Sequence, residues 1–236
     1  MILVIDLENT CQKGRPKDFP SDIIEIGACW VTPQSEVVDC FEAVVQTETP
    51  ITQFCAGLTG ITQKDVDAGL TFAAAMQALA EFAAKYPDRT WASWGVSDLD
   101  SFEIDCAKNG VENPLKDWTH RNLKIEFSLA NGSKRRGLAE ALEIAGIERE
   151  GVAHRALPDA INTVKLMPYI ATYIEFCENL QVRERARREA LWNLENPMPG
   201  QREQALKTLK LIRGQDRRSP IGDGAALTTK HLRESV

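Results

Sequence analysis

The stretch VIDLENT, residues 4–10, places two acids at the end of an apolar run. Such a run is typical of a buried strand, and alternate side chains of a strand leave the same face. Asp6 and Glu8 therefore share one face, at a strand end where burying two carboxylates is costly. Two interpretations follow: the acids bind a cation, or they lie on a solvated edge.

Length and composition predict a globular protein, with 236 residues, 43% hydrophobic content and a net charge of −6. The six cysteines show neither C-x-x-C pairing nor zinc spacing, which favours reduced, mostly buried thiols in a cytoplasmic protein. The opening apolar stretch is too short for a signal peptide. Because no stretch has the apolar length of a bilayer span, we expect no membrane association.

Strands alternate with helices in the predicted order of elements. The strands at 22–32 and 37–47 are joined by a turn-like PQSE, which predicts an antiparallel hairpin. The other predicted strands are 1–8, 89–95 and 122–129, and the predicted helices are 70–86, 98–110, 137–146 and 157–180. This order is typical of an α/β layered domain, which we assign to residues 1–180.

The chain changes character after residue 180. Residues 181–218 carry ten Lys or Arg and five acids, and NPMPG at 196–200 divides them into two helical pieces. We therefore assign 181–236 to a basic helical extension with a loose tail. Arg-rich helices suit a phosphate backbone or an acidic partner, but a solvated helix with paired charges is slightly favoured here.

Two further segments carry candidate site residues. SWGVSD, residues 93–98, leads from a strand to Asp98 at the start of a helix, where an Asp is equally typical of an N-cap. HRALPD, residues 154–159, places His154 before a helix and Asp159 in its first turns. That pair suits metal-assisted hydrolysis, or simply caps the helix. We interpret His120 and His231 as ordinary surface residues.

The order of these pieces resembles one family. D-x-E on the first strand, an Asp after a WG strand and H-x(4)-D at the last helix form the DEDDh pattern of the DnaQ-like 3′-to-5′ exonucleases. DIIEIGACWV, LTGITQ, NLKIEFS and GLAEALEIAG resemble the branch that contains the histone-mRNA 3′-end, enhancer-of-RNAi and bacterial sporulation-inhibitor-type exonucleases. The resemblance covers residues 2–175.

The resemblance implies an RNase H-like fold, with a mixed five-stranded sheet flanked by helices. It implies that two Mg²⁺ or Mn²⁺ ions are held by four acids and that His154 is the general base. The four acids are Asp6, Glu8, Asp98 and Asp159. The implied activity releases nucleoside 5′-monophosphates from the 3′ ends of single-stranded nucleic acid, with RNA favoured over DNA.

The same resemblance implies a pocket for the terminal nucleotide. Its predicted lining residues are Leu7, Thr10, Leu58, Thr59 and Trp94.

Pro158 departs from the family pattern, because an acid is common at that position. Next to Asp159, it is expected to set the helix start and the tilt of that carboxylate.

Two other classes of function remain open. In the first, the chain is a nuclease-fold binding module that has lost its chemistry. In the second, it is an adaptor that acts through its basic extension. The presence of all four acids and of His154 favours the enzyme, because an inactive site has no physical reason to keep costly polar groups.

Overall fold

Five strands form one mixed sheet in the spatial order β3-β2-β1-β4-β5. The computed structural model describes residues 1–170, except 15, 17, 18, 132 and 133. The strands are β1 (Ile2–Asn9), β2 (Ile23–Val31), β3 (Val37–Val44), β4 (Thr90–Ser93) and β5 (Thr119–Asn122). The β1–β2 and β2–β3 pairs are antiparallel, whereas β4 lies parallel to β1 and β5 parallel to β4. β1 is thus the central strand.

Seven helices connect and flank the strands in the described part of the chain. Six are α1 (Gln53–Thr59), α2 (Gln63–Asp67), α3 (Phe72–Ala83), α4 (Ser97–Asn109), α5 (Leu123–Ala130) and α6 (Leu138–Ala145). Another, α7, begins at residue 156 and reaches residue 170, where the described residues end. Threonine side chains cap the first three, and left-handed glycines end α4 and α6.

The main core lies on the face of β1 opposite to Asp6 and Glu8. Leu3, Ile5 and Leu7 join one buried cluster with residues of α3 and α4. The alternation of VIDLEN therefore divides one strand between two environments, with an apolar face for the core and an acidic face at the strand end.

Most predicted elements are confirmed, including the hairpin, the helices α3, α4 and α6, and the start of α7. The strand predicted at 122–129 is wrong, because β5 ends at Asn122 and α5 covers Leu123–Ala130. Leu123 and Phe127 are both buried at helical spacing, and the Asn122 side chain accepts the N–H of Ile125 at 3.2 Å. The two short helices α1 and α2 were not predicted from the sequence.

The five described cysteines are free thiols, of which Cys29, Cys55 and Cys106 are buried. The cytoplasmic location expected from their pattern remains a prediction. Among the described residues, none of the helices combines the length and apolarity needed to cross a membrane. The extension assigned to 181–236, with His231 and the end of the helix predicted to 180, falls outside the described residues.

Candidate active site

The two acids of β1 project from the sheet beside β2. Asp6 pairs with Gly27 and Glu8 with Glu25 in the antiparallel register. Residues paired in this way point to the same side of a sheet. One face therefore presents three carboxylates at the end of its central strands, and both Asp6 and Glu8 are half-buried there.

Asp98 reaches the same strand end from α4. β4 pairs with β1 only at Leu3 and Val4, and beyond these residues the Asp98 carboxylate accepts the N–H of Leu7 at 3.2 Å. The side chain is 6% exposed. The N-cap interpretation of Asp98 is wrong: Val96 occupies that position without a side-chain cap, and Asp98 lies inside the first turn. Its hydrogen bond fastens α4 to β1.

The segment before α7 and the first turn of α7 bring His154 and Asp159 close to Glu8. Asp159 accepts the backbone N–H of His154 at 3.2 Å through one oxygen and forms an ion pair with Arg149 through the other. Candidate ligand atoms of Glu8, His154 and Asp159 all lie within 4.8 Å of one another. The His154 side chain is exposed, and its backbone is left-handed, with φ of 59°.

The Asn162 side chain of α7 binds the backbone of Glu150, where the segment before α7 begins. The buried side chain accepts the N–H of Glu150 at 3.0 Å and donates to the carbonyl of Glu150 at 2.8 Å. Gly151, with φ of 72°, packs so closely on Pro158 that a Cβ at Gly151 would meet the proline ring at 3.0 Å. Pro158 thus packs against the segment that precedes α7, one residue before Asp159.

Burial and mutual repulsion disfavour the charged forms of the acids. Burial, followed by the charges of Asp98 and Asp159, raises the pKa of Asp6 well above its usual range. Burial, followed by the charges of Asp159, Glu25 and Asp98, raises the pKa of Glu8 to about 8. Burial raises the pKa of Asp98 to about 6 and also raises that of Asp159, against the opposing charge of Arg149. Such a set of hard oxygen donors fits a divalent cation, which would restore their charged forms.

Burial, together with the repulsion between the acids, predicts an unusual pH dependence of stability for the metal-free protein. Because the pKa of Glu8 rises from 4.5 to about 8, its contribution is complete below pH 4.5 and lost as the pH rises through about 8. We expect the melting temperature in EDTA to fall over this range, and to fall less in Glu8→Gln. Scanning calorimetry from pH 5 to pH 9 measures both.

Glu36→Gln is the matched control for this experiment, because Glu36 is exposed. It should follow the wild type at every pH. Added Mg²⁺ or Mn²⁺ should raise the melting temperature of the wild type most at pH 8. A Glu8→Gln curve that parallels the wild type would contradict the raised pKa of Glu8.

The predicted nucleotide-pocket residues differ in availability. The Thr10 hydroxyl donates to the Pro20 carbonyl at 2.7 Å and accepts the N–H of Asp22 at 2.9 Å. The hydroxyl of Thr59 is buried in α1 and donates to the Cys55 carbonyl at 3.0 Å. The hydroxyls of Thr10 and Thr59 therefore serve the fold.

Leu7, Trp94 and Leu58 complete that predicted set. Leu7 is 7% exposed, and Trp94 is equally buried, with its ring beside Phe127 and its N–H donated to the Arg136 carbonyl. Leu58 is 39% exposed at the end of α1. Of the five side chains, Leu58 is thus the most available to a ligand.

Several residues near the site were not predicted from the sequence. Glu25, Arg149 and Arg155 all act on the charges of the acids. A signal existed for Glu25, the one charged residue in the strand IIEIGACWV. The surface interpretation of His120 is wrong: it is half-buried, 4.3 Å from the Trp91 ring centroid, with Nε2 3.0 Å from the Ser93 hydroxyl.

A mixed five-stranded sheet with four acids at the end of its central strand defines the RNase H-like fold of DEDDh exonucleases. The chain belongs to the exonuclease family of the RNase T type, which matches residues 3–167. Members of this family depend on divalent metal ions. The family membership and fold expected from the sequence are thus confirmed.

Two curated relatives indicate the branch. Rat 3′-5′ exoribonuclease 1 is 28% identical over 215 residues, which cover 84% of this chain and 60% of the relative. The probable 3′-5′ exonuclease KapD of Bacillus subtilis is 30% identical over 182 residues, which cover 75% of this chain and 87% of the relative. The chain thus spans 87% of the length of KapD but only 60% of the rat protein.

Solved structures agree with this assignment of the fold. The nuclease domain of 3′hExo, a DEDDh family member bound to rAMP, matches with a TM-score of 0.67 at 25% identity, over 75% of this chain and 93% of that domain. Cell-death related nuclease 4 matches with a TM-score of 0.61 at 18% identity, a likeness that shows the fold alone.

Proposed function

We propose that the protein is a divalent-metal-dependent 3′-to-5′ exonuclease that removes nucleoside 5′-monophosphates from single-stranded nucleic acid. The observation that supports this proposal is that four mutually repelling carboxylates lie together beside an exposed histidine. Ligand atoms of Glu8, His154 and Asp159 lie within 4.8 Å of one another. The names of the rat and Bacillus relatives support a 3′-to-5′ direction.

The acids would hold two Mg²⁺ or Mn²⁺ ions. Asp6 would contribute to holding both ions, Glu8 and Asp159 to holding one of them, and Asp98 to holding the other. When bound, such ions stabilise negative charge on the phosphate and acidify the attacking water. The hydrogen bond from Leu7 keeps the Asp98 carboxylate oriented toward the end of β1.

His154 would act as the general base. Its ring takes a proton from the water whose oxygen forms the new bond to phosphorus. The bond to the 3′ oxygen of the penultimate nucleotide breaks, and that oxygen takes a proton from solvent. Because the His154 side chain is exposed, it can return its proton to water before the next cycle.

RNA is the preferred substrate in this proposal, and DNA is the second. The exoribonuclease name of the rat relative and the rAMP bound to 3′hExo support this order. Discrimination between the sugars requires contacts with the 2′-OH. The exposed Leu58 is the proposed apolar contact for the terminal base.

A gel tests the proposal directly. Purified protein is incubated with 5′-labelled RNA and DNA of one sequence, in Mg²⁺, Mn²⁺ or EDTA. We expect a ladder that shortens from the 3′ end, faster on RNA, and no cleavage in EDTA. Cleavage that persists in EDTA would overturn metal dependence. Binding without a ladder on either strand would favour a nuclease-fold binding module.

A further inference from the structure

Glu25 is a buried acid beside the site that the proposed chemistry does not use. It lies on β2 opposite Glu8 and is 0% exposed. Its carboxylate accepts Arg155 Nε at 2.9 Å, Arg155 Nη2 at 2.5 Å and the backbone N–H of Ala156 at 2.8 Å. The fully buried Glu25 side chain therefore binds both Arg155, which follows His154, and Ala156, the first residue of α7.

Gly27, two residues along the same face, allows this approach. A Cβ at Gly27 would lie 2.1 Å from the backbone nitrogen of Leu157 and 2.2 Å from the carbonyl carbon of Ala156. Because those atoms belong to the main chain, only glycine lets the start of α7 lie directly on β2. Glu25 and Gly27 thus hold residues 155–157 against the sheet.

The segment held in this way adjoins His154. The backbone of His154 is left-handed, a conformation that is uncommon for residues other than glycine and persists where the surroundings impose it. Its N–H bonds to Asp159, and its neighbour Arg155 is fixed by Glu25. The position of the exposed His154 ring therefore depends on the anchorage of the residues that follow it.

Arg155 also balances charge. The negative charge of Glu25 adds to the repulsion felt by Asp6 and Glu8, and Arg155 opposes it at Glu8. Without Arg155, the buried charge of Glu25 would destabilise the metal-free site further. An apolar residue in place of Glu25 would leave the N–H of Ala156 without this acceptor.

We propose that Glu25 is a positioning residue for hydrolysis, which sets the place of His154 through Arg155 and the Ala156 N–H. The proposal rests on the exonuclease function and on His154 as its base. On the shared face of β1 and β2, Asp6 and Glu8 would then hold metal, whereas Glu25 holds the backbone at the start of α7. A misplacement of a reacting group by about 1 Å can lower a rate by about 100-fold.

The test compares Glu25→Gln with Glu42→Gln. Glu42 accepts the same Arg155 Nη2 at 3.1 Å, but it is exposed and its hydrogen bond is to the side chain alone. We expect kcat of Glu25→Gln to fall about 10- to 100-fold with KM changed less than about twofold. Glu42→Gln should stay within about twofold of the wild type. Equal kcat values for the two variants would overturn the proposal.

A double-mutant cycle separates positioning from general damage. If Glu25 acts through His154, Glu25→Gln should cost less than about twofold in a His154→Gly background. The same loss in both backgrounds would mean that Glu25 does not act through the base.

A second readout requires no activity. In the metal-free protein, the ring NMR signal of His154 should shift in Glu25→Gln and stay in place in Glu42→Gln. If the wild type makes no ladder, the exonuclease proposal fails, while this signal still decides whether Glu25 positions His154. An unmoved signal in both variants would count against the positioning role.

Discussion

Asp6→Asn is expected to lose at least about 10³-fold in exonuclease activity without losing its fold. Asp6 lies on the central strand and interacts with the charges of Asp98, Asp159 and Glu8. In the proposed function it would contribute to both metal sites. Asparagine keeps the shape of the side chain but removes the charge that a divalent ion needs. Initial rates on labelled RNA measure the loss.

The same variant should be no less stable than the wild type in EDTA. Burial and neighbouring acids raise the pKa of Asp6, so its stabilising contribution is complete at low pH and lost as the pH rises through the folded-state value. Asparagine does not ionise and avoids that loss at pH 8. Melting curves in EDTA and calorimetric titration with Mn²⁺ therefore separate a lost metal site from a lost fold.

Asp100→Asn is the matched control, because Asp100 lies on α4 close to Asp98 in sequence but is exposed. It should keep wild-type rates and Mn²⁺ binding. Wild-type activity in Asp6→Asn would remove the metal-site assignment from this face of β1.

Removal of the His154 ring is expected to lower kcat by about 10²- to 10⁴-fold while KM stays close to the wild-type value. The four carboxylates are untouched, so Mn²⁺ affinity should change little. Because His154 has φ of 59°, alanine at this position would add backbone strain. His154→Gly removes the ring without that strain and is the better variant; single-turnover rates and a Mn²⁺ titration test it.

The titration also distinguishes two roles for His154. Its ring lies within ligand reach of Glu8 and Asp159, so a metal ligand is the competing assignment to a base. A base predicts a large fall in kcat at unchanged Mn²⁺ affinity. A parallel fall in Mn²⁺ affinity would contradict the base and make His154 a ligand.

Local sequence patterns predicted the elements whose signal lies within a few residues. The alternation in VIDLEN, the Ala-rich run of α3 and Gly110 after α4 each depend on near neighbours, and each corresponds to the observed element. The strand predicted at 122–129 is wrong, because a short apolar run fits a strand or a helix equally well. The helix forms there because it buries Leu123 and Phe127 together on one face.

The sequence pointed to Asp6, Glu8, Asp98, His154 and Asp159 through its resemblance to the DEDDh pattern, because the order of the acids and the histidine can be read directly from the chain. Their catalytic roles remain predictions, but the structure brings them to one end of the sheet. Tertiary structure alone distinguished the strand-fastening Asp98 from an N-cap and joined Glu25 to Arg155, which is 130 residues away. Such partners depend on strand register and helix placement, because hydrogen bonds and charges act through space and no local pattern records which distant residues the fold brings together.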